Sequence, residues 1–306
     1  MTAAAPGTAP VELGRATTRK RSRRPVTARR SNALTVVLLL CLVYFLLPLY
    51  WLVVSSTKTN SELFSTFGLW FGPIHLWQNL VDVFTIQNGI FLSWIGNTAL
   101  YAGVSSVGAA FLAAAAGYAF AKYRFPGGNL LFSVVLGSIM IPTTALAIPT
   151  YLFFAQISLA DTRWSVILPS LVSPFGVYLM RVYAADAVPT ELLEAARVDG
   201  AGEMRIFFTV ALRLLAPGVI TVLLFTLVAT WNNYFLPLIM LSTPEKYPLT
   251  VGLAQWQSAA ASGSGAQALF SNVITGSLVS VVPLVIAFLY LQKYWQSGLA
   301  TGGVKA

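Results

Sequence analysis

Charge is what this 306-residue sequence has least of: Asp, Glu, Lys and Arg together make up 9% of it, while 57% is hydrophobic. An ordinary soluble domain carries about a quarter charged residues, so a soluble globular fold is excluded on composition. Cysteine and histidine are almost missing. Cys41 stands alone inside an apolar run and His75 is the sole histidine, which leaves no disulfide framework and no His/Cys metal cluster. No Gly-Lys dipeptide occurs, so the chain has no phosphate-cradling loop of the P-loop kind, and neither a GxSxG elbow nor an HExxH pair is present. Acidic residues are scarce as well, 10 against 19 basic, for a formal net charge of +9. Eight of those basic residues and one acid, Glu12, fall between Met1 and Arg30. The excess charge therefore belongs to a tail and not to a nucleic-acid-binding surface.

What the sequence does have is long runs without an ionisable residue. Crossing about 30 Å of hydrocarbon takes roughly 20 helical residues, because only a helix or a closed barrel satisfies its own backbone there. Six runs are long enough for one helix each, which predicts an all-α integral membrane protein with spans at about 33–54, 94–121, 130–156, 164–183, 214–240 and 272–293. Residues 1–31 form a basic tail without apolar periodicity, 184–213 a charged loop, and 298–306 a polar, glycine-rich end. Gln87, Asn88 and Gly89, like Gly263 and Gly265, read as loop or re-entrant backbone. With the N-terminus inside, sixteen Lys and Arg lie on the inner side and three, Lys58, Arg163 and Lys246, on the outer side. That asymmetry predicts a multi-pass plasma-membrane protein with both termini cytoplasmic. The tail reads either as a topogenic anchor or as a grip on anionic headgroups, at about 1 kcal/mol per basic residue.

The loop 184–213 has two helical halves. Pro189 presets the chain, Thr190 is a candidate cap, and Glu191 and Glu194 sit near the positive end of a first helix. Asp199 and Gly200 stop it, Gly200 by taking the left-handed conformation and Asp199 as a candidate N-cap for the second helix. In that second half Met204, Phe207, Phe208 and Ala211 recur at i, i+3, i+4 and i+7, one apolar stripe. From pattern alone this is a helix lying on its own membrane surface.

The residue string says more. Glu194-Ala195-Ala196, Asp199-Gly200-Ala201, Phe207 and Pro217 resemble the EAA loop of permease subunits of binding-protein-dependent ABC importers, in the cytoplasmic loop before the penultimate span. The resemblance runs from about Ser55 to Ala306 and points to the carbohydrate-uptake branch related to the maltose-type permeases. It includes Ser56-Thr57-Lys58, Glu62-Leu63-Phe64, Asn97-Thr98, Gly117-Tyr118-Ala119-Phe120-Ala121, Arg124-Phe125-Pro126-Gly127, Met140-Ile141-Pro142, Trp231-Asn232-Asn233, Pro237-Leu238 and the ending Gln292-Lys293-Tyr294 with Gly298-Leu299 and Gly303-Val304-Lys305. One departure is Leu212-Arg213, where the family usually has Leu-Pro; Arg213 either continues the helix or reaches lipid phosphates.

The resemblance implies a type I ABC importer transmembrane domain. This chain would be the non-catalytic permease in a bacterial plasma membrane. It would pair with a second permease, two copies of a nucleotide-binding ATPase and an extracytoplasmic solute-binding lipoprotein, and would move a carbohydrate. ATP and Mg would sit on the ATPase, and this chain would bind no cofactor or metal; lipids, but no nucleic acid, complete its partners. Glu194, Ala195, Ala196, Asp199, Gly200, Ala201, Met204, Phe207 and Phe208 would form the ATPase-coupling surface, with the helix after Asp199 as the ball in a socket. Trp231, Asn232, Asn233 and Tyr234 are candidates for the substrate path, chemically apt for a sugar's ring face and hydroxyls, and equally apt for helix packing. His75 and Gln78 are expected in an outer loop. Pro142, Pro149, Pro237 and Pro283 read as kinks or as points of flexing. The competing reading is a self-sufficient secondary carrier or channel for a neutral polar solute. Against it stands the absence of Asp, Glu, Lys and Arg from the six apolar runs, of which the fourth ends at Met180 and the last at Gln292, since carriers driven by ion gradients usually hold their coupling ion on such groups. An intramembrane enzyme is poorer still, for want of paired catalytic groups.

Overall fold

The computed structural model describes residues 32–262 and 269–300, with side chains described as far as Gln292. The chain divides after Leu46 into two compact units. Helix α1, Asn32–Ser56, begins in the first unit and is apolar along its 25 residues. The expected tails 1–31 and 301–306, together with Gly263 and Gly265, lie outside the described residues.

The second unit takes in the rest of α1 from Leu47 and then a short connecting segment. Lys58, counted above among the three cations of the outer side, is buried at 1% exposure and donates to Thr66 Oγ1 (2.9 Å) and the Phe67 carbonyl (2.8 Å). Helix α2, Asn60–Ser65, opens on a capping box: Thr59 N–H donates to Glu62 Oε2 and Glu62 N–H to Thr59 Oγ1. Helix α3, Leu76–Lys122, is two helices joined at Gln87, Asn88 and Gly89, whose φ values are 51°, 58° and 75°. The loop-like residues seen in the sequence do break the helix there, and the long arm after them is the second span. His75 is the N-cap of α3 and lies outside the helix, at the end of a loop as expected, while Gln78 lies inside the first turn.

The third expected span, 130–156, is not one helix. Helices α4, Gly128–Ile139, and α5, Thr143–Gln156, meet at 105° across Met140, Ile141 and Pro142. Pro142 disfavours a helical conformation at Ile141 and donates no N–H, which accounts for a break at that place. Helices α6, Arg163–Ser170, and α7, Pro174–Ala187, together cover the fourth span; Ser173 Oγ accepts from Gly176 N–H (3.2 Å) to start α7. After the loop helices described below, helix α10, Leu212–Trp231, stops nine residues short of the expected 240. The chain turns through Asn232–Tyr234 into α11, Phe235–Met240. Helix α12, Leu249–Ala261, and the long α13, Leu269–Ala300, complete the order. The last helix runs three residues into the segment expected to be a non-helical tail. Among the described residues five helices are long and apolar enough to cross a membrane, or six when the bent α4/α5 pair is counted as one.

The centre of the second unit is α3, packed against α7 and α10, with α13 closing on α10, α12 and α3. The seam on α3 is built from small residues, Ala110, Ala113, Ala114 and Gly117, all buried. A Cβ on Gly117 would stand 2.5 Å from Met180 Cβ and 2.7 Å from Arg181 N, so only glycine lets α7 come this close. At the other end of the long arm, Phe91, Trp94 and Trp256 form an aromatic cluster. There Trp94 Nε1 donates to the Pro244 carbonyl (2.9 Å), Asn97 Nδ2 to Glu245 O (2.7 Å) and Leu249 N to Thr98 Oγ1 (2.8 Å), so the 244–249 turn is held onto α3.

Candidate functional site

The loop between α7 and α10 is anchored from beneath. Helix α8, Thr190–Val198, follows Pro189, and α9, Glu203–Ile206, runs through one π-helical segment, Phe207–Ala211, into α10 without a break. Val188, Leu193, Ile206, Phe207 and Ala211 are buried with Ala114, Tyr118, Met180, Ala184 and Leu215 in one cluster. Phe207 packs on Tyr118 with ring centroids 5.4 Å apart, and Phe208 stacks on Phe111 at 6.1 Å.

Several expectations change on this geometry. The N-cap of α8 is Pro189 and not Thr190, and the N-cap of α9 is Gly202 and not Asp199, which is the C-cap of α8. The stripe splits: Phe207 and Ala211 point inward with Ile206, while Met204 is 71% and Phe208 46% exposed. The π segment is the cause, because one extra residue in a turn shifts the apolar register by about 100°. Arg213 sits inside the helix, so the departure from the Leu-Pro pattern leaves the loop helix and the span continuous.

The turn joining α8 to α9 is a Schellman cap. Gly200, at φ 81°, donates to Arg197 O (3.0 Å) and Ala201 N donates to Ala196 O (3.0 Å), with Ala196 and Ala201 both packed on the buried cluster. Small residues at 196 and 201 are thereby accounted for by the cap itself. Glu194, Ala195, Asp199 and Gly200 remain exposed together with Val198, at 88% the most exposed large apolar side chain among the described residues. The outward surface is thus Glu194, Ala195, Val198, the 199–202 turn and Met204. It lies on the C-terminal half of α8 and the start of α9, not on the helix after Asp199 alone.

A polar clasp that the sequence reading missed fixes this tip. Arg197 Nε donates to Glu203 Oε1 (2.7 Å), its other end reaches Oε2 (3.2 Å), and Tyr123 OH, from the turn after α3, donates to the same carboxylate. The Arg197 and Tyr123 bonds hold the Glu203 carboxyl below its usual range. Partial burial and the bond to Glu203 push the Tyr123 hydroxyl up. Opposite charges on either side of the Asp199-Gly200 turn were the available sign of a clasp; nothing in the sequence marked Tyr123.

The four substrate-path candidates lie at the break between α10 and α11. Trp231 Nε1 donates to the Ser280 carbonyl (3.2 Å) and Asn232 Nδ2 to Val228 O (2.9 Å). Asn233 Oδ1 accepts from Leu236 N (3.4 Å) and its carbonyl accepts from Thr250 Oγ1 (2.7 Å). The break therefore engages one side-chain group each of Trp231, Asn232 and Asn233, and Asn232 and Tyr234 are the two exposed side chains.

Long apolar helices round a small-residue seam, with a rigid polar loop clamped across one end, define an all-helical integral membrane protein. The fold is shared with a chain of a bacterial ABC transporter involved in the import of the acidic polysaccharide alginate, at a TM-score of 0.74 and 23% identity over 86% of this chain and 95% of that one. Residues 106–299 match the family model of the binding-protein-dependent transport system inner membrane component, and the chain belongs to that family. It is 34% identical to the arabinooligosaccharides transport system permease protein AraQ of Halalkalibacterium halodurans, over 84% of this chain and 90% of that protein. The Bacillus subtilis AraQ is 32% identical over 89% and 95%. The sn-glycerol-3-phosphate transport system permease protein UgpE of Yersinia pestis is 29% identical over 86% and 94%.

Proposed function

We propose that this chain is one of two permease subunits of an ATP-driven importer for a carbohydrate, and that it couples to a separate ATPase through the 188–206 loop on the cytoplasmic side. A second permease would complete the path, two ATPase subunits would bind ATP and Mg, and a solute-binding lipoprotein would deliver the sugar from outside. The substrate class rests on relatives named for arabinooligosaccharide transport. The coupling role rests on one observation: an exposed tip of Glu194, Ala195, Val198 and Met204 is mounted on helices whose inner faces are buried and whose α9 is continuous with α10. A rigid lever of this kind transmits force applied at the tip into the span, where a flexible loop would absorb it. Of the path candidates, Asn232 and Tyr234 face the solute, while Trp231 and Asn233 hold the broken helix.

Two substitutions test the coupling. Gly200→Pro cannot adopt φ 81° and dismantles the cap, and Glu194→Lys reverses charge on the tip without touching the fold. Each is expected to lower ATP-dependent sugar uptake by about tenfold or more, the size of one lost charged contact at an interface, while the protein still inserts at wild-type level. Unchanged uptake in both variants overturns the coupling role.

A further inference from the structure

At the same end of the bundle as the loop, a cavity of about 430 Å³ opens between the C-terminal end of α3, the start of α4 and α7. Two guanidinium groups line it, those of Arg124 and Arg181, and no carboxylate does. Neither arginine forms an ion pair among the described residues. Arg181 is placed by the ring of Phe132, its Cζ lying 3.8 Å from the ring centroid, which leaves the edge of the guanidinium free to bind. Asn129 lines the same space at the start of the 12-residue α4, after the left-handed Gly127; Gly128 N–H there donates to the Phe125 carbonyl (3.2 Å), while the next N–H groups have no acceptor within the helix. Two uncompensated planar cations, an amide and a helix N-terminus make a site for a phosphate diester.

The surroundings decide what carries that phosphate. Leu130, which lines the cavity, is 70% exposed, and Leu131 (52%) and Val134 (62%) continue an apolar surface down α4 into the span. A soluble phosphate has nothing to place there, whereas an acyl chain does. We propose that the Arg124/Arg181 cavity binds the headgroup of an anionic phospholipid, with the acyl chain along Leu130, Leu131 and Val134. The proposal needs only that the chain lies in a membrane, and stands independently of the ATPase coupling and of the sugar.

The test is native mass spectrometry of the full chain in mild detergent, titrated with phosphatidylglycerol or phosphatidylcholine. Wild type is expected to retain phosphatidylglycerol in preference to phosphatidylcholine. Arg124→Gln and Arg181→Gln should each weaken that binding about fivefold, the equivalent of roughly 1 kcal/mol per basic residue near a headgroup. Arg124 is exposed and without a protein partner, so its removal leaves folding intact, to be verified by gel filtration. Arg213→Gln removes the same charge at this end but outside the cavity and should change binding far less. Equal retention of both lipids, or an equal loss in Arg213→Gln, overturns the proposal. Displacement of the lipid by millimolar inorganic phosphate also overturns it, in favour of a soluble phosphate site.

Discussion

Asp161 shows how much a single side chain organises away from the loop site. It sits at φ 53° in the short connection between α5 and α6, and its N–H donates to the Met240 carbonyl (2.8 Å). Its Oδ1 accepts from Ser242 N (3.0 Å) and Thr243 N (3.1 Å), and its Oδ2 from Lys246 Nζ (2.8 Å) and Thr243 Oγ1. Partial burial raises the carboxyl's proton affinity, but the bonds from Lys246, Thr243 and Ser242 outweigh it and hold the group far below its ordinary value of 3.8. A carboxylate more acidic in the folded than in the unfolded chain contributes stability that is complete above about pH 5. That contribution declines as pH falls through the unfolded value toward the folded one. Asp161→Asn should therefore lower thermal stability in detergent at neutral pH by about 1–3 kcal/mol, since Lys246 loses its ionic partner. The gap to wild type should narrow as the pH is taken from about 5 to about 3. A gap that stays constant over that range would show that the carboxylate's charge plays no part. Nothing in the sequence singled Asp161 out, because a lone Asp in a loop is ordinary and its partners lie some eighty residues away.

At the scale of elements, the π segment Phe207–Ala211 sets the rotation of the exposed 194–204 tip relative to α10. Phe207 and Ala211 are buried, and so is Leu215 beyond them, in ordinary helical spacing; Ile206 joins that face only because of the extra residue. Deleting Thr209, whose side chain does no more than bond back to Arg205 O, would restore a regular helix and turn everything before it by about 100°. The expected outcome is a protein that inserts and keeps α10 packed, yet loses the Tyr123–Glu203 contact and ATP-dependent uptake together. Uptake at the wild-type level would mean that the orientation of the tip does not matter. The helix–turn–helix form of this loop was legible from Pro189, the early glutamates and Gly200, because caps and left-handed turns are local. The inward and outward faces were not legible, since a single inserted residue in the backbone ladder leaves no mark in an i, i+3, i+4 pattern.

For the molecule as a whole, the long apolar runs located the helices that are long and apolar enough to cross, five among the described residues or six with the bent pair, because hydropathy reports where backbone must satisfy itself. Their breaks were only partly legible: Pro142 read as a kink where the chain turns through 105°, whereas Asn232–Tyr234, two amides inside an otherwise apolar run, read as part of a continuous span. Those breaks are also where a path for a solute would need polar backbone, and the apolar stretches 33–54, 90–121, 130–156, 164–180, 214–231 and 269–292 hold no Asp, Glu, Lys, Arg or His to bind a coupling ion. Large apolar side chains stay exposed on the bent pair, among them Met140 at 85%, Ile148 at 62% and Phe153 at 57%. A surface of this kind must be covered by lipid or by a second membrane chain. Reconstituted alone into vesicles, the chain should thus take up no sugar above the level of empty vesicles under either a proton or a sodium gradient. Uptake should appear when the ATPase, the second permease, the binding protein and ATP are supplied together. Gradient-driven uptake by the lone chain would identify it instead as a self-sufficient carrier, and the anchored loop would then be no more than a helix resting on its own membrane.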